Sequence, residues 1–334
     1  MLSKSFSLQN AEQFISGWGS VVVILGAILI GSMVGIASDG VGDRLSNFID
    51  YTILGLVFLL LFEVRPKKIL SSLHRIDFII AALVANFIII PVLGFGIASV
   101  FLSSHPLFFI GLLIYFMAPC TDWFLGFTRL AHGNTTLGAS LLPINMILQL
   151  LLYPFYLHIF GVEIIETDAV GIFQTLWQWF LIPLLGALAS RYILERFLQK
   201  EVFETIEALI SIIIPLCVAL LVGQIFAANI GTLSENISII PIILLAIFVF
   251  FTLTYTLSEV ITKIMKFNYE DRALLTMTTG ARNAPLMLAV TTAVLPDQPI
   301  IYAAIIIGTL IEFPHLIALK IILKKSNVKQ QILT

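Results

Sequence analysis

Charged residues are scarce in this sequence. Of its 334 residues, 59% are hydrophobic and only 11% are charged, which is about half the charged fraction of an average soluble domain. Residues 78–102 contain no charged side chain at all, and about 20 apolar residues suffice for a helix that crosses a bilayer. This composition excludes an ordinary soluble protein and predicts an integral membrane protein whose constant partner is the lipid bilayer.

Patterns that carry catalysis or bind metals are also lacking. The two cysteines, Cys120 and Cys217, both lie in apolar stretches and have no zinc-binding spacing. The sequence contains no His-Glu-x-x-His motif and no nucleophile elbow, which are typical of metalloproteases and hydrolases. It has no basic stripe of the kind that binds nucleic acid. We therefore predict that the protein is not an enzyme, and that it has no cofactor, no resident metal and no nucleic-acid partner.

What the sequence does contain is a succession of ten apolar segments. They begin near Trp18, Ser46, Arg75, Leu107, Thr136, Gly171, Glu204, Ile237, Asp271 and Pro299. Lysine and arginine lie in alternate connections and in both terminal segments, with Arg44 and Arg282 as the exceptions. Basic residues favour the cytoplasmic side of a membrane. We therefore predict a protein of the plasma membrane, the inner membrane of a bacterium, with both termini in the cytoplasm.

The positions of these segments repeat. Corresponding starts in the first five and the last five segments are 153 to 164 residues apart. Because each half has an odd number of spans, the second half must enter the membrane from the opposite side, as in an inverted-topology repeat. We predict an all-α membrane protein of ten helices in two five-helix repeats, residues 18–160 and 171–323. Residues 1–17 would form a cytoplasmic or interfacial segment, and 324–334 a cytoplasmic tail.

The fourth segment of each half is interrupted in its middle. Residues 117–123 contain Pro119, and residues 278–285 contain Gly280 and Pro285. A proline inside a helix removes a hydrogen bond and clashes with the preceding turn. In inverted repeats such broken helices approach each other near the membrane midplane and form the binding site. We therefore predict that helices 4 and 9 are broken and cross each other there.

Several side chains at these breaks and in segment ten could bind a substrate. The predicted substrate-binding residues are Cys120, Thr121, Asp122, Arg282, Asn283 and Glu312. Acids inside a membrane are usually functional, so Glu312 and Asp122 are the candidates for proton coupling. Segment five, the repeat mate of segment ten, instead carries the amides Asn145 and Gln149.

Each of these assignments has a purely structural alternative. Thr121 or Asp122 could simply cap the second half-helix. Arg282 needs a buried partner, either Asp122 or Glu312, and the resulting pair could be structural or could supply a charge that attracts an anion. Cys120 could be a small hydrophobic side chain, but a thiol at a half-helix N-terminus also suits soft metals and metalloids.

Together these motifs resemble the bile acid/sodium symporter superfamily over about residues 18–323. Residues 118–121, Ala-Pro-Cys-Thr, are similar to the fourth-helix motif of its arsenite-efflux branch, and residues 311–314, Ile-Glu-Phe-Pro, to the last-helix motif of that branch. The resemblance implies ten spans in two inverted repeats with crossing helices 4 and 9. It also implies that Cys120 takes part in arsenite handling and that Glu312 is a functional glutamate.

One stretch departs from the superfamily pattern. Sodium-coupled bile acid carriers have Glu-x-Gly-x-Gln-Asn in helix 9, where the glutamate and glutamine help to bind sodium. The matching residues 278–283 have Thr278 in place of the glutamate and Arg282 in place of the glutamine. Losing an anion and gaining a cation should abolish sodium binding there, because like charges repel. Arg282 also departs from the arsenite exporters.

The predicted function is therefore secondary active transport. The leading hypothesis is a sodium-independent antiporter that exports arsenite or a related metalloid oxyanion in exchange for protons, and so provides arsenical resistance. The alternative is a sodium- or proton-coupled symporter, or a uniporter, for a small organic anion that Arg282 would clamp.

Overall fold

Helices form nearly all of the chain that the computed structural model describes, which comprises residues 19–37, 40–63, 75–121, 123–160, 174 and 177–333. The first helices are α1 (Ser20–Ala37), α2 (Val41–Ser46), α3 (Ile49–Phe62), α4 (Ile76–Val84), α5 (Ile90–Leu102), α6 (Pro106–Met117), α7 (Trp123–Leu130) and α8 (Thr135–Phe160). The remaining helices are α9 (Ile182–Phe197), α10 (Lys200–Glu235), α11 (Ile240–Met265), α12 (Tyr269–Gly280), α13 (Ala284–Val294) and α14 (Pro299–Leu333). Within these ranges no β-strand occurs, so the predicted all-α class is confirmed.

Six stretches of the described chain are long and apolar enough to cross a membrane. They are Arg44–Phe62, Ile76–Leu102, Thr135–Phe160, Lys200–Glu235, Ile237–Met265 and Pro299–Asn327. Three further apolar helices are shorter: Val21–Ala37, Pro106–Met117 and Ala284–Val294. These apolar helices point to an integral membrane protein, whereas the count of ten spans and the inverted repeat stay predictions. The predicted segment 1–17 lies outside the described residues.

The chain divides into two compact units. The first unit contains α1 to α3, α9, α10 and residues 288–306. The second contains α4 to α8, α11, α12 and the described residues from 307 onward, together with residues 284–287. Each unit takes helices from both halves of the chain.

Close approach of two backbones characterises the first unit. Gly31 and Gly35 are four residues apart on α1, and a Cβ at either position would collide with the Gly223 or Ala227 carbonyl of α10. Small residues at such spacing let membrane helices pack at short distance. The first unit is therefore held by a tight α1–α10 contact that leaves no room for larger side chains.

The second unit fixes the start of α12 with a buried acid. Asp271 is 1% exposed, and its carboxylate binds Arg75 Nη1 at 2.8 Å and Asn134 Nδ2 at 3.1 Å. Its main-chain N–H donates to Asn268 Oδ1 at 2.9 Å, which caps the helix. Residues at the beginning of α4, α8 and α12 thus meet at one point, and this anchors the helix that leads into the second interruption.

Candidate functional site

The two helix interruptions lie against each other in the second unit. Ala118 leaves α6 in an extended conformation (φ −102°, ψ 108°), and Ala281 leaves α12 in another (φ −89°, ψ 142°). The Cys120 N–H donates to the Ala281 carbonyl at 3.1 Å, and the Asn283 N–H donates to the Ala118 carbonyl at 2.9 Å. These bonds form an antiparallel bridge, and they confirm the prediction that the two interruptions meet.

The bridge has a clear physical reason. Backbone groups released by a helix break have no water to bind inside a membrane, so they must find partners within the protein. Here each break supplies the partners that the other needs. Pro285 does not cost α13 a hydrogen bond. It stands in the first turn of that helix, where a main-chain N–H has no intrahelical partner.

Asn283 links the two breaks through its side chain as well. Its Nδ2 donates to Thr121 Oγ1 at 2.9 Å, and its Oδ1 accepts from the Leu286 N–H at 3.3 Å. The second bond is an N-terminal cap for α13. Asn283 therefore combines the capping role with a contact across the crossing, and it brings the predicted residues Thr121 and Asn283 together. Asp122 lies outside the described residues.

Arg282 is completely buried, and its guanidinium is surrounded by oxygen atoms. Its Nη1 donates to the Phe116 carbonyl at 3.0 Å. Its Nη2 donates to the Thr279 carbonyl at 2.7 Å and the Thr278 carbonyl at 3.2 Å, and lies 3.4 Å from Asn86 Oδ1. Phe116 belongs to the last turn of α6, and both threonines belong to the last turn of α12. The carbonyl ends of two half-helices thus bind one cation.

This arrangement is electrostatically favourable. The C-terminus of a helix carries a partial negative charge of about half an electron, and a cation there is stabilised. In inverted-repeat transporters such half-helix ends and unwound carbonyls are the groups that coordinate sodium. The Phe250 ring, stacked on Phe116 at 3.9 Å between centroids, lies 5.7 Å from the guanidinium carbon. Arg282 therefore occupies a position lined for a cation.

Glu312 of α14 reaches the same crossing. The residue is 1% exposed; its Oε1 accepts from the Arg282 main-chain N–H at 3.0 Å, and its Oε2 lies 3.2 Å from the Tyr115 hydroxyl. The Tyr115 hydroxyl is also 3.0 Å from the Gly308 carbonyl. The predicted proximity of Arg282 and Glu312 is therefore present, and the hydrogen bond that joins them uses the backbone of Arg282.

Cys120 follows Pro119, which pairs with Arg282 in the bridge. It is fully buried, whereas Cys217 is partly exposed. The Cys120 main-chain N–H donates to the opposite break, and this bond fixes the backbone of the residue at the crossing.

Sequence reasoning missed two members of the site. Asn86 lies in a π-helical turn, Ala85–Ile89, and besides facing Arg282 it donates from Nδ2 to Thr278 Oγ1 at 3.2 Å. Such turns often occur at functional sites. The available signal was an isolated amide in a stretch with no charged residue. Tyr115 gave no signal, because a tyrosine in an apolar helix is usually a core residue.

Comparison with known proteins finds a matching family and several similar proteins. The profile of the Sodium Bile acid symporter family matches residues 52–236, more than half of the chain. The arsenical-resistance protein Acr3 of Corynebacterium glutamicum is 26% identical over 271 residues, which cover 76% of this chain and 71% of that protein.

Two further similar proteins have names that refer to sodium. The uncharacterized sodium-dependent transporter YocS of Bacillus subtilis is 23% identical over 217 residues, 64% of this chain and 64% of that protein. The probable sodium/metabolite cotransporter BASS2, chloroplastic, of Oryza sativa subsp. japonica is 28% identical over 183 residues, 53% of this chain and 41% of that protein. This chain thus matches less than two thirds of the length of either one.

Proposed function

We propose, from the premise that this chain belongs to the Sodium Bile acid symporter family, that it is a sodium-independent antiporter for arsenite or a related metalloid oxyanion. Membership of a family of transporters makes the protein a membrane transporter, and it confirms the resemblance found in the sequence. The finer assignment of substrate and coupling ion is our proposal. The observation that carries it is the buried guanidinium of Arg282 among the oxygens of two helix ends.

Sodium independence follows from the position of this guanidinium. Three main-chain carbonyls and one carboxamide oxygen surround it, and these are ligands that a hard cation such as sodium would use. The Arg282 guanidinium occupies the space that a sodium ion would need, and its positive charge also repels the ion. Arg282 stays charged throughout, so the site is filled without sodium.

The thiol of Cys120 supports a metalloid substrate. Soft sulfur ligands suit soft metals and metalloids, and Cys120 lies in the bridge where the two half-helices meet. With two cysteines in the whole chain, one protomer cannot provide three thiolates, so a metalloid would be held weakly enough to be released. The similarity to an arsenical-resistance protein agrees with this choice of substrate.

Glu312 would carry the proton. Its carboxylate accepts from the Arg282 N–H and so is connected to the crossing itself. A charge-assisted bond of this kind weakens when the acid is protonated, so protonation would loosen one connection between α14 and the crossing. Asp122 is the second proposed proton group. In our proposal Thr121 and Asn283 hold the two breaks in register beside the substrate.

The test is arsenite accumulation in everted membrane vesicles under an imposed pH gradient. We expect accumulation by the wild type without sodium, a large loss for Cys120→Ser, and little change for the control Cys217→Ser. If wild-type vesicles accumulate no more arsenite than empty vesicles do, the metalloid assignment is wrong.

One observation favours the organic-anion alternative. Arg282 Nε is buried and has no hydrogen-bond partner among the described residues, so one N–H remains to bind a carboxylate or sulfonate oxygen. A panel of radiolabelled organic acids, assayed with and without sodium, separates the two functions. Uptake of a carboxylate that is lost in Arg282→Lys would favour the clamp.

A further inference from the structure

Two buried carboxamides on α8 have polar atoms without a hydrogen-bond partner among the described residues. Asn145 is fully buried and Gln149 is 2% exposed. Neither the Nδ2 nor the Oδ1 of Asn145 has a partner among the described residues, and neither has the Oε1 of Gln149. Gln149 Nε2 contacts the sulfur of Met146 at 3.8 Å, and a thioether is a weak acceptor. Since they are four residues apart, both amides project from the same side of the helix.

Unpaired amides of this kind are costly inside a protein. Burial without a partner removes the hydrogen bonds that water would provide, and nothing replaces them. Leucine or methionine would fill the same volume at no such cost. Two amides on one helix face with unused hydrogen-bonding atoms can bind a molecule that both donates and accepts hydrogen bonds.

A small cavity in the second unit lies beside Gln149, one helical turn from Asn145. Gln149 lines it together with Met117, Ala118, Tyr153, Tyr156 and Met287. Ala118 is the first residue of the interruption that contains Cys120, so the cavity adjoins the proposed substrate site. The Tyr156 hydroxyl donates to the Phe87 carbonyl at 2.7 Å, which leaves its oxygen able to accept from a ligand.

The cavity has the chemistry of a neutral site. Among the described residues that line it, none carries a charge. In the nearby crossing, both Nη atoms of Arg282 are already engaged with protein oxygens. An anion placed here would lose its hydration water and would gain no bidentate hydrogen bond from an arginine in return. A neutral molecule with hydroxyl groups would instead satisfy both amides.

We propose that Gln149 and Asn145 form a recognition surface for an uncharged, hydroxyl-bearing substrate, which for a metalloid is the undissociated trihydroxy acid. Its O–H groups donate to Gln149 Oε1 and Asn145 Oδ1, and its oxygens accept from the amide N–H groups. This inference rests on the proposed transport function and specifies the protonation form of the substrate. Asn145 and Gln149 thereby become specificity residues, distinct from the thiol and the acid.

The experiment measures ligand-dependent thermal stability of the purified full-length protein in detergent. The probes are arsenous acid, boric acid as a neutral trihydroxy acid without thiol affinity, and benzoate as an anion. The variants are Gln149→Leu, Gln149→Met and Asn145→Leu. The matched control is Gln224→Leu, because Gln224 of the first unit is also a buried glutamine whose Oε1 has no partner in the described part of the chain.

We expect both neutral acids to stabilise the wild type and benzoate to leave it unchanged. Gln149→Leu, Gln149→Met and Asn145→Leu should melt at or above the wild-type temperature without ligand, because an unpaired amide has been removed. Each should bind the neutral acids about threefold to tenfold more weakly, as loss of one hydrogen bond predicts. Gln224→Leu should keep the wild-type affinity.

The outcomes separate this inference from the proposed function. Binding of boric acid without binding of arsenous acid would refute the assignment of arsenite as the substrate and leave the amide surface intact. Wild-type affinity in both Gln149 variants would overturn the inference, and so would a wild type that binds benzoate in preference to both acids or binds none of the probes. If one of the two variants at position 149 does not fold, the other still tests the inference.

Discussion

Arg282 is the residue on which the chemistry of the crossing depends. A charge in the membrane interior is expensive unless hydrogen bonds replace its water, and here the replacement comes from carbonyls of Phe116, Thr278 and Thr279 with Asn86. Each hydrogen bond to a charged group is worth about 1.5–3 kcal/mol. The residue is therefore stable only because two helix ends converge on it, and the helix ends are stable because it neutralises them.

This balance predicts a latent sodium site. Arg282→Gln removes the tethered cation and leaves the carbonyl oxygens facing one another, so a free cation should take its place. We expect the variant to melt well below the wild type in choline chloride and to recover partly in sodium chloride. Sodium at tenfold excess over its Kd would contribute about 1.4 kcal/mol.

The control for this experiment is Arg272→Gln, which removes an arginine that pairs with Glu259 outside the crossing. Its stability should be the same in both salts, as should that of the wild type. Equal melting of Arg282→Gln in sodium and choline would show that the oxygen cluster does not accept a free cation.

Glu312 carries a second prediction at the scale of a residue. Glu312→Gln keeps the volume and an acceptor oxygen for the Arg282 N–H, but it cannot take up or release a proton. We expect arsenite accumulation driven by a pH gradient to fall to the level seen without a gradient, while exchange of labelled for unlabelled arsenite continues. Glu259→Gln, the change at the acid that pairs with Arg272, should retain gradient-driven transport. A gradient response that persists in Glu312→Gln would assign the proton to another group.

At the scale of the element, the two interruptions support each other. Neither break can satisfy its own backbone, and two main-chain bonds with one side-chain bond join them. Each break therefore depends on the presence of the other, although 162 residues separate Thr121 from Asn283. A substitution at one break should therefore change the stability of the other break.

A double-mutant cycle on Thr121→Val and Asn283→Ala measures this dependence. Thr121→Val removes the shared hydrogen bond, for which we expect a loss of about 0.5–1.5 kcal/mol. Asn283→Ala removes that bond and the α13 cap, which adds about 1 kcal/mol. The double variant should be less destabilised than the sum by about the value of the shared bond. Strict additivity in thermal denaturation would indicate that the side chains do not interact.

At the scale of the whole molecule, charge segregation decides the orientation in the membrane. Lysines lie at the end of α11 and throughout the second part of α14, whereas the connection between α13 and α14 carries Asp297. Basic residues close to a span are retained in the cytoplasm. The distribution predicts that residues on opposite ends of α14 lie on opposite sides of the membrane.

Reporter fusions test this orientation. Alkaline phosphatase fused after Asp297 should be active, because the enzyme folds outside the cytoplasm, and a fluorescent protein fused after Lys325 should fluoresce inside the cell. The exchanged fusions should be silent. Active phosphatase after Lys325 would place the C-terminus outside and contradict the prediction that both termini are cytoplasmic.

The sequence by itself determined the class of the protein and the places where its helices break. An apolar run such as residues 78–102 can satisfy its backbone inside a bilayer only as a helix, and Pro119 lies just beyond the end of α6, where its missing N–H does not interrupt a helix hydrogen bond. The contact between the two breaks was predictable for the same local reasons, whereas the roles of Cys120 and Glu312 in transport stay predictions. Family membership agrees with what those residues suggested.

Only the tertiary structure decided what surrounds Arg282. Its partners are main-chain oxygens, and whether a carbonyl is free to accept depends on where a helix ends and what lies opposite. Phe116 is 166 residues away in the chain and Asn86 is 196, so no local pattern reveals either contact. The sequence suggested an acid as the partner because charge is visible in a sequence and a helix dipole is not. Folding brings two helix ends together, and that convergence stabilises a buried cation.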